Sequence, residues 1–337
     1  MDVDRRQLIA GIGGLAVAAC SSAQTPASPP AGVNWPAFKA RFMAPDGRIL
    51  DTGNGGVSHS EGQSYGLAMA VQAGDRAGFE TIHRWTQATL ARPDVALHCW
   101  RYDPRAPDPI TDRNNATDGD LLIAYALAKA AERWREPRYA ARSRAIVDAV
   151  STRLIRSVGG RMLLLPGLDG FATAMKTTIN PSYYVWPALD LFARTGQAAL
   201  WRRVVDDGEA LLVAARFGSR ALPTDWVDIA DSGAVSPGAD RPARFGFDAI
   251  RVPLYAAATG RSCLITPIRN WWQTMPLERI PAWVDVISGQ TADYGLSEGG
   301  RAVVERTIAD RPAHPEKSGI LASDYYSASL QCLAAIL

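Results

Sequence analysis

The amino-acid sequence predicts an all-α protein in which helical hairpins close into a ring. Apolar residues recur at three- and four-residue spacing over residues 65–71, 121–134, 188–192, 204–214 and 330–336, the signature of helices with a buried face. Strand signals are few. Six points along the chain read as helix starts, and most leave room before the next for an inner helix, a turn and an outer helix.

The starts can be justified in order. Ser60 with Gln63 fits a capping box, as does Thr117 with Asp120; in that motif a hydroxyl and a polar side chain three residues on satisfy each other's backbone amides. Asn180-Pro181 offers a cap followed by proline at the first helical position, where a missing N–H costs nothing. Gly246-Phe247-Asp248, the region 294–298 and Ser323-Asp324 open the remaining patterns. Six hairpins arranged as a ring bring the inner starts to one end, so residues near 61, 118, 183, 248 and 325 would converge from remote parts of the chain. An open helical array fits the same pattern, although the segments are not similar to one another. Residues 283–287 before Ser288-Gly289 are the best hairpin candidate, and residues 162–165 before Pro166-Gly167 are another.

Composition narrows the function. With 337 residues and 47% apolar content the chain can bury a large core, and no composition break splits it. Lys and Arg number 36 against 34 Asp and Glu, a net charge of +2. Nothing in that balance favours nucleic acid or an acidic surface. Ten Trp and ten Tyr suit sugar binding, because aromatic rings stack on the apolar faces of sugars, though most such rings serve the core. His59, His83, His98 and His314 show no metal-ligand spacing, and there is no phosphate-binding glycine motif, so neither a metal nor a nucleotide cofactor is expected.

The N-terminus reads as an export signal over residues 1–19. Arg5-Arg6 precedes an apolar run from Leu8 to Ala19 that is too short to span a bilayer. Val17-Ala18-Ala19-Cys20 resembles a lipobox, which makes Cys20 the expected lipid attachment point, and Arg5-Arg6 resembles a twin-arginine signal. Residues 20–33 are rich in Ser, Ala and Pro and read as a flexible tether. One domain then covers residues 34–337. With Cys20 acylated, Cys99, Cys263 and Cys332 remain, widely spaced, and no disulfide framework is implied.

Acidic residues sit at three of the helix starts: Glu61, Asp118 and Asp248. A general acid, a general base and a carboxylate that distorts the sugar are the working parts of an inverting glycoside hydrolase. The stretch 116–127 followed by Ala130 and Trp134, together with Ser60 to Gly66, Asn180-Pro181-Ser182-Tyr183, Pro223-Thr224-Asp225-Trp226-Val227, Phe247 to Val252 and Ser323-Asp324-Tyr325-Tyr326, resembles glycoside hydrolase family 8, the bacterial cellulases, and within it the branch that accompanies cellulose synthase. The likeness runs from about Trp35 to the C-terminus.

The resemblance implies an (α/α)6 barrel and an endo-acting β-1,4-glucanase working on cellulose, in the periplasm or attached to the outer membrane by lipid, with a cellulose synthase complex as a candidate partner. It implies Glu61 as acid, Asp248 as base and Asp118 as the residue that holds a distorted sugar. Tyr183, Arg251 and Tyr325 match positions near the scissile bond, and Trp100 and Trp226 match stacking platforms. Chitosan, xylan and mixed-linkage glucan are substrates of other members. A non-catalytic glucan-binding accessory is the reading from another class, and the three acids speak against it. Two expectations are purely physical. A helix start favours ionised Glu61 although a general acid must carry a proton, and Arg251, three residues beyond Asp248, would keep the base ionised. Asp120 reads as a simple cap, and residues 98–102 depart from the family pattern before Asp118.

Overall fold

The computed structural model describes residues 34–309 and 321–337. The export signal, Cys20, the tether and His314 lie outside the described residues. In chain order the helices are α1 (Trp35–Phe42), α2 (Ser60–Ala73), α3 (Arg76–Thr89), α4 (Thr117–Trp134), α5 (Pro137–Arg153), α6 (Trp186–Phe192), α7 (Ala198–Ala214), α8 (Arg251–Ala258), α9 (Thr266–Trp272), α10 (Glu298–Ala309) and α11 (Tyr325–Ile336).

From α1 to α10 two kinds of helix alternate for a physical reason. In α2 the residues from Gly62 to Val71 are all buried, and in α4 nearly all from Thr117 to Leu127 are. Helices buried on every side belong inside a larger assembly. By contrast α5 buries one stripe, Tyr139, Ser143, Ile146, Ala149 and Val150, and α7 buries Trp201, Val204, Val205, Leu211 and Leu212. These cover the others. The inner helices pack in the order α2, α4, α6, α8, α10, α11 and back to α2, while α3, α5, α7 and α9 lie against α2, α4, α6 and α10. Helix α1 covers the seam where α11 meets α2, and Arg41 ties it there by donating to the Ala322 carbonyl at 3.0 Å. The ring is closed, an (α/α)6 barrel rather than an open array.

Short antiparallel strands brace the loops at the end where the inner helices start. Strand β1 (Ser58–His59), just before α2, pairs with β2 (Arg101–Tyr102); β3 (Ile155–Val158) pairs with β4 (Arg161–Leu164). A three-stranded sheet runs β5 (Lys176–Ile179), β6 (Val227–Ala230), β7 (Val235–Pro237), and β8 (Arg244–Phe245) pairs with β9 (Val284–Asp285).

One expected hairpin needs correction and the other forms. The turn between β3 and β4 is Gly159-Gly160, both at positive φ, upstream of the Pro166-Gly167 turn that the sequence suggests. Residues 283–287 do form the expected hairpin at Ser288-Gly289, with Val284 bridged antiparallel to Thr291 and Ala292 donating to the Trp283 carbonyl at 3.0 Å, and β9 pairs with β8 as well.

The capping boxes also do not form. The Ser60 hydroxyl has no hydrogen-bond partner, and the Gln63 amide instead serves the Ile49 N–H, the Gly47 carbonyl and the Thr86 hydroxyl. Thr117 donates to the Leu165 carbonyl at 2.6 Å, and Asp120 is a tertiary anchor, accepting from the His98 ring at 2.7 Å and from the Asn115 amide at 3.0 Å. Asp324 does cap α11, accepting from the Ser327 N–H at 2.8 Å. Among the described residues no helix is long and apolar enough to cross a membrane.

Candidate active site

Glu61 is the second residue of α2 and Asp118 the second of α4, so each projects from the first turn of an inner helix. What lets them meet is Gly119. A Cβ there would lie 2.5 Å from the Ser60 hydroxyl and 2.9 Å from the Glu61 nitrogen, so any side chain would push the two helix starts apart. Asp248 sits on a tight lead-in to α8, in which Ile250 donates to the Gly246 carbonyl and Arg251 to the Asp248 carbonyl, both at 3.0 Å.

One guanidinium joins the three acids. Arg251, the first residue of α8, donates through Nη1 to Glu61 Oε2, to the Tyr65 hydroxyl at 2.9 Å and to Asp118 Oδ2 at 3.1 Å. Through Nη2 it donates to Asp248 Oδ1 at 2.6 Å and to the Ser182 hydroxyl at 3.1 Å. Ser182 is itself held by Asn180, whose side-chain oxygen accepts from the Ser182 N–H and hydroxyl. The layering is clear. The side chains of Arg251 and Asp118 are only 2% and 5% exposed, whereas Glu61 and Asp248 are 23% and 33% exposed. Two carboxylates face solvent above a buried cation and a buried acid.

Electrostatics follow from that layering. Burial pushes the Asp118 carboxyl up to about 7 against the opposing pull of Arg251, and the nearby Glu61 adds to the rise. Burial also raises Asp248, with Arg251 pulling the other way. An Asp–Arg pair three residues apart was legible in the sequence; the same arginine holding Glu61 and Asp118 was not.

Aromatic rings flank the acids on two sides. Tyr183 stands beside Arg251, its ring centre 6.0 Å from the guanidinium carbon. It meets the Trp226 ring edge-on at 6.1 Å, and Trp226 stacks on Phe171 at 5.7 Å. On the Glu61 side Trp100 stacks on His59 at 5.9 Å, nearly parallel, and its carbonyl accepts from the Ser60 N–H at 2.9 Å. Burial lowers the His59 pKa against the pull of Glu61 and Asp51. The structure thus gathers Glu61, Asp118, Asp248, Arg251 and Tyr183, with Trp226 and Trp100 at either flank.

Tyr325 is placed differently from its neighbour. Its side chain is buried against Phe42, and its hydroxyl, without a partner, would lie 2.4 Å from a Cβ at Gly62. It backs the Glu61 helix. Tyr326, half-exposed, instead reaches across the site and donates to the Phe247 carbonyl at 2.5 Å, and Phe247 is 57% exposed next to Asp248. Sequence reasoning missed Tyr326, Phe247, Tyr65 and Ser182 as site residues. Tyr65 carried a signal, standing four residues beyond Glu61 and so on the same helix face.

Solvent-facing carboxylates on opposite nitrogens of one cation, between aromatic faces that suit pyranose rings, are the equipment of a glycoside hydrolase. The comparisons agree. The model of glycosyl hydrolases family 8 matches residues 7–337. A probable endoglucanase of Novacetimonas hansenii is 38% identical over 334 residues, 98% of this chain and 97% of the relative, and an endoglucanase of Cellulomonas uda is 42% identical over 277 residues, 82% and 77%. Among solved structures, endo-beta-1,4-glucanase CMCax from Acetobacter xylinum superposes with a TM-score of 0.85 at 38% identity, covering 90% of this chain and 95% of that one. The endoglucanase Cel10 from Klebsiella pneumoniae gives 0.85 at 40% identity over 89% and 96%. The chain belongs to glycosyl hydrolase family 8.

Proposed function

We propose that this protein is an endo-acting, inverting β-1,4-glucanase that cuts cellulose. The observation that carries the reading is the Arg251 guanidinium, with Glu61 on one nitrogen and Asp248 on the other. Glu61 protonates the departing glycosidic oxygen while Asp248 takes a proton from the water that attacks the opposite face. Asp118, beneath them, binds the sugar whose bond breaks and favours its distorted ring form. Arg251 keeps Asp248 ionised, as a base requires. Tyr183 on one side and Trp100 on the other offer faces for neighbouring sugar rings, and Trp226, whose ring is covered by Phe171 and by the Arg241 guanidinium at 4.1 Å, lines the Tyr183 flank. Relatives named endoglucanase at about 40% identity support the choice of β-1,4-glucan.

Residues 1–19 export the chain, Cys20 carries lipid and residues 20–33 let the barrel reach polymer away from a membrane, which suits trimming of cellulose as it is made beside a synthase. Fatty-acid labelling of the full-length protein tests this part, since Cys20→Ala should lose both the label and the membrane fraction. For the chemistry, the test is a panel of soluble cellulose derivative, chitosan, xylan and mixed-linkage glucan, with the anomer of the first product read by NMR. Cellulose should lose viscosity faster than it gains reducing ends, and the new ends should be α-configured. β-Configured first products, or activity on chitosan or xylan alone, would overturn it.

A further inference from the structure

Asp248 occupies an awkward place for a base. It stands in the lead-in turn of α8, where free backbone N–H groups would turn to the nearest carboxylate, normally the side chain at the cap itself. Such capping would both aim the carboxyl back at its own helix and depress its pKa. Asp248 does neither, because another acid takes those donors. Asp225, on the segment just before β6, accepts through Oδ1 alone from the N–H groups of Gly246 at 3.0 Å, Asp248 at 3.2 Å and Ala249 at 2.7 Å.

The anchoring is mutual. The Asp225 N–H donates to the Arg244 carbonyl at 2.7 Å, and fully buried Thr224 fixes the same segment by donating to the Trp226 carbonyl at 2.6 Å. Gly246 is required for the approach, since a Cβ there would lie 2.7 Å from Asp225 Oδ2. The same carboxyl lines a cavity of about 180 Å³ with Trp226, Arg241, Arg244, Phe247 and Trp283.

We infer that Asp225 is the positioning residue of the base: by collecting three backbone N–H groups it frees the Asp248 carboxylate to face Arg251 and the attacking water, and preserves its basicity. Burial, and then the charge of Asp248, push the Asp225 carboxyl up to about 7 while the three N–H bonds hold it down, as befits two acids crowded together. The other groups facing Asp248 are Arg251 on α8, Glu61 on α2, Asp118 on α4, Asn180 and Tyr183 before α6 and Tyr326 on α11. None of them accepts from the lead-in amides.

The inference rests on Asp248 being the base, so the experiment has a readout that does not. Asp225→Ala, Asp225→Asn and Asp248→Asn are made in the full-length chain, and kcat and KM are measured on a soluble cello-oligosaccharide. Asp225→Ala should lower kcat about tenfold to a hundredfold, the scale of an ångström-sized misplacement, with KM within about threefold. Asp225→Asn keeps an acceptor oxygen for the three N–H groups and should recover kcat to within about fivefold of wild type. In parallel, 13C NMR should show Asp248 titrating at lower pH in Asp225→Ala, because the freed amides turn to it and a neighbouring negative charge is gone. An unmoved or raised Asp248 titration, a kcat within twofold of wild type, or an asparagine no better than alanine overturns the inference. Should Asp225→Ala fail to fold, Gly246→Ala, which displaces the carboxylate, replaces it and must give the same downward shift. An active Asp248→Asn would instead refute the base assignment, while the titration shift still decides the role of Asp225.

Discussion

Removing the guanidinium tests the site most directly. Arg251→Met keeps most of the side chain's length and apolar stem but deletes the bonds to Glu61, Tyr65, Asp118, Ser182 and Asp248. Breaking a buried ion pair by deleting one partner costs about 3–5 kcal/mol. That range fits here because Asp118 is 5% exposed, whereas the shares of Glu61 and Asp248, at 23% and 33% exposure, are reduced by solvent. The cost must depend on pH. A carboxyl whose folded pKa lies above its unfolded value binds more protons in the native state, so stability falls as pH rises through that interval. For Asp118 the interval runs from 3.8 to about 7. Without the cation the folded values rise further and the fall steepens. Urea unfolding of wild type and variant from pH 4 to pH 8 should therefore show a gap of about 1–2 kcal/mol at pH 4, the scale of lost neutral hydrogen bonds, widening to about 3–5 kcal/mol at pH 8. A gap independent of pH, or no gap at pH 8, would show that Arg251 is not the counter-charge of the acids. Arg251→Lys should recover little, because a point charge cannot serve both sides of the fork.

Glu61→Gln should cut turnover at least about a hundredfold, the usual range for losing a general acid, while calorimetry with a cello-oligosaccharide shows binding nearly intact; activity within tenfold of wild type would refute the assignment. Asp118→Asn removes an acid that burial disfavours in its charged form, so stability should become flatter between pH 4 and pH 7 even as kcat falls. A slope as steep as that of wild type would exclude Asp118 as its source. Gly119→Ala should destabilise by about 1–3 kcal/mol and lower kcat, since its Cβ would sit 2.9 Å from the Glu61 nitrogen. Wild-type melting and activity would show that the two helix starts have slack.

Much of the fold was legible because helix starts are local events. The starts at Ser60, Thr117 and Asp324 head α2, α4 and α11, and Asn180 caps a short 3-10 turn over Pro181–Tyr183 just before α6. Ser60 and Gln63 were misread for an instructive reason. At the crowded end of a closed ring, polar side chains at helix starts are drawn to neighbouring segments, as Gln63 is to Ile49 and Gly47, so the capping pattern marks the right residue with the wrong partner. Asp120, read as a cap, holds His98 instead. The acids of the site were visible as a set, but their meeting on Arg251 depends on contacts spanning 133 and 190 residues, which no local spacing encodes. Asp225 shows the same limit from the other side, since its three partners lie 21 to 24 residues downstream.

The seam between α11 and α2 sets a timetable. A ring has no stable halfway form equal to its final one, because α2, although already packed by α3 and α4, keeps its seam face uncovered until the last inner helix docks. Contacts so distant in sequence are slow to form and expose apolar surface meanwhile. The site matures on the same schedule. Tyr325, behind the helix of Glu61, and Tyr326, which bonds the segment of Asp248, arrive only with α11. A chain caught before that moment would hold its acids without the wall that aligns them, so hydrolytic power would appear at the end of folding, in one step, wherever that folding takes place.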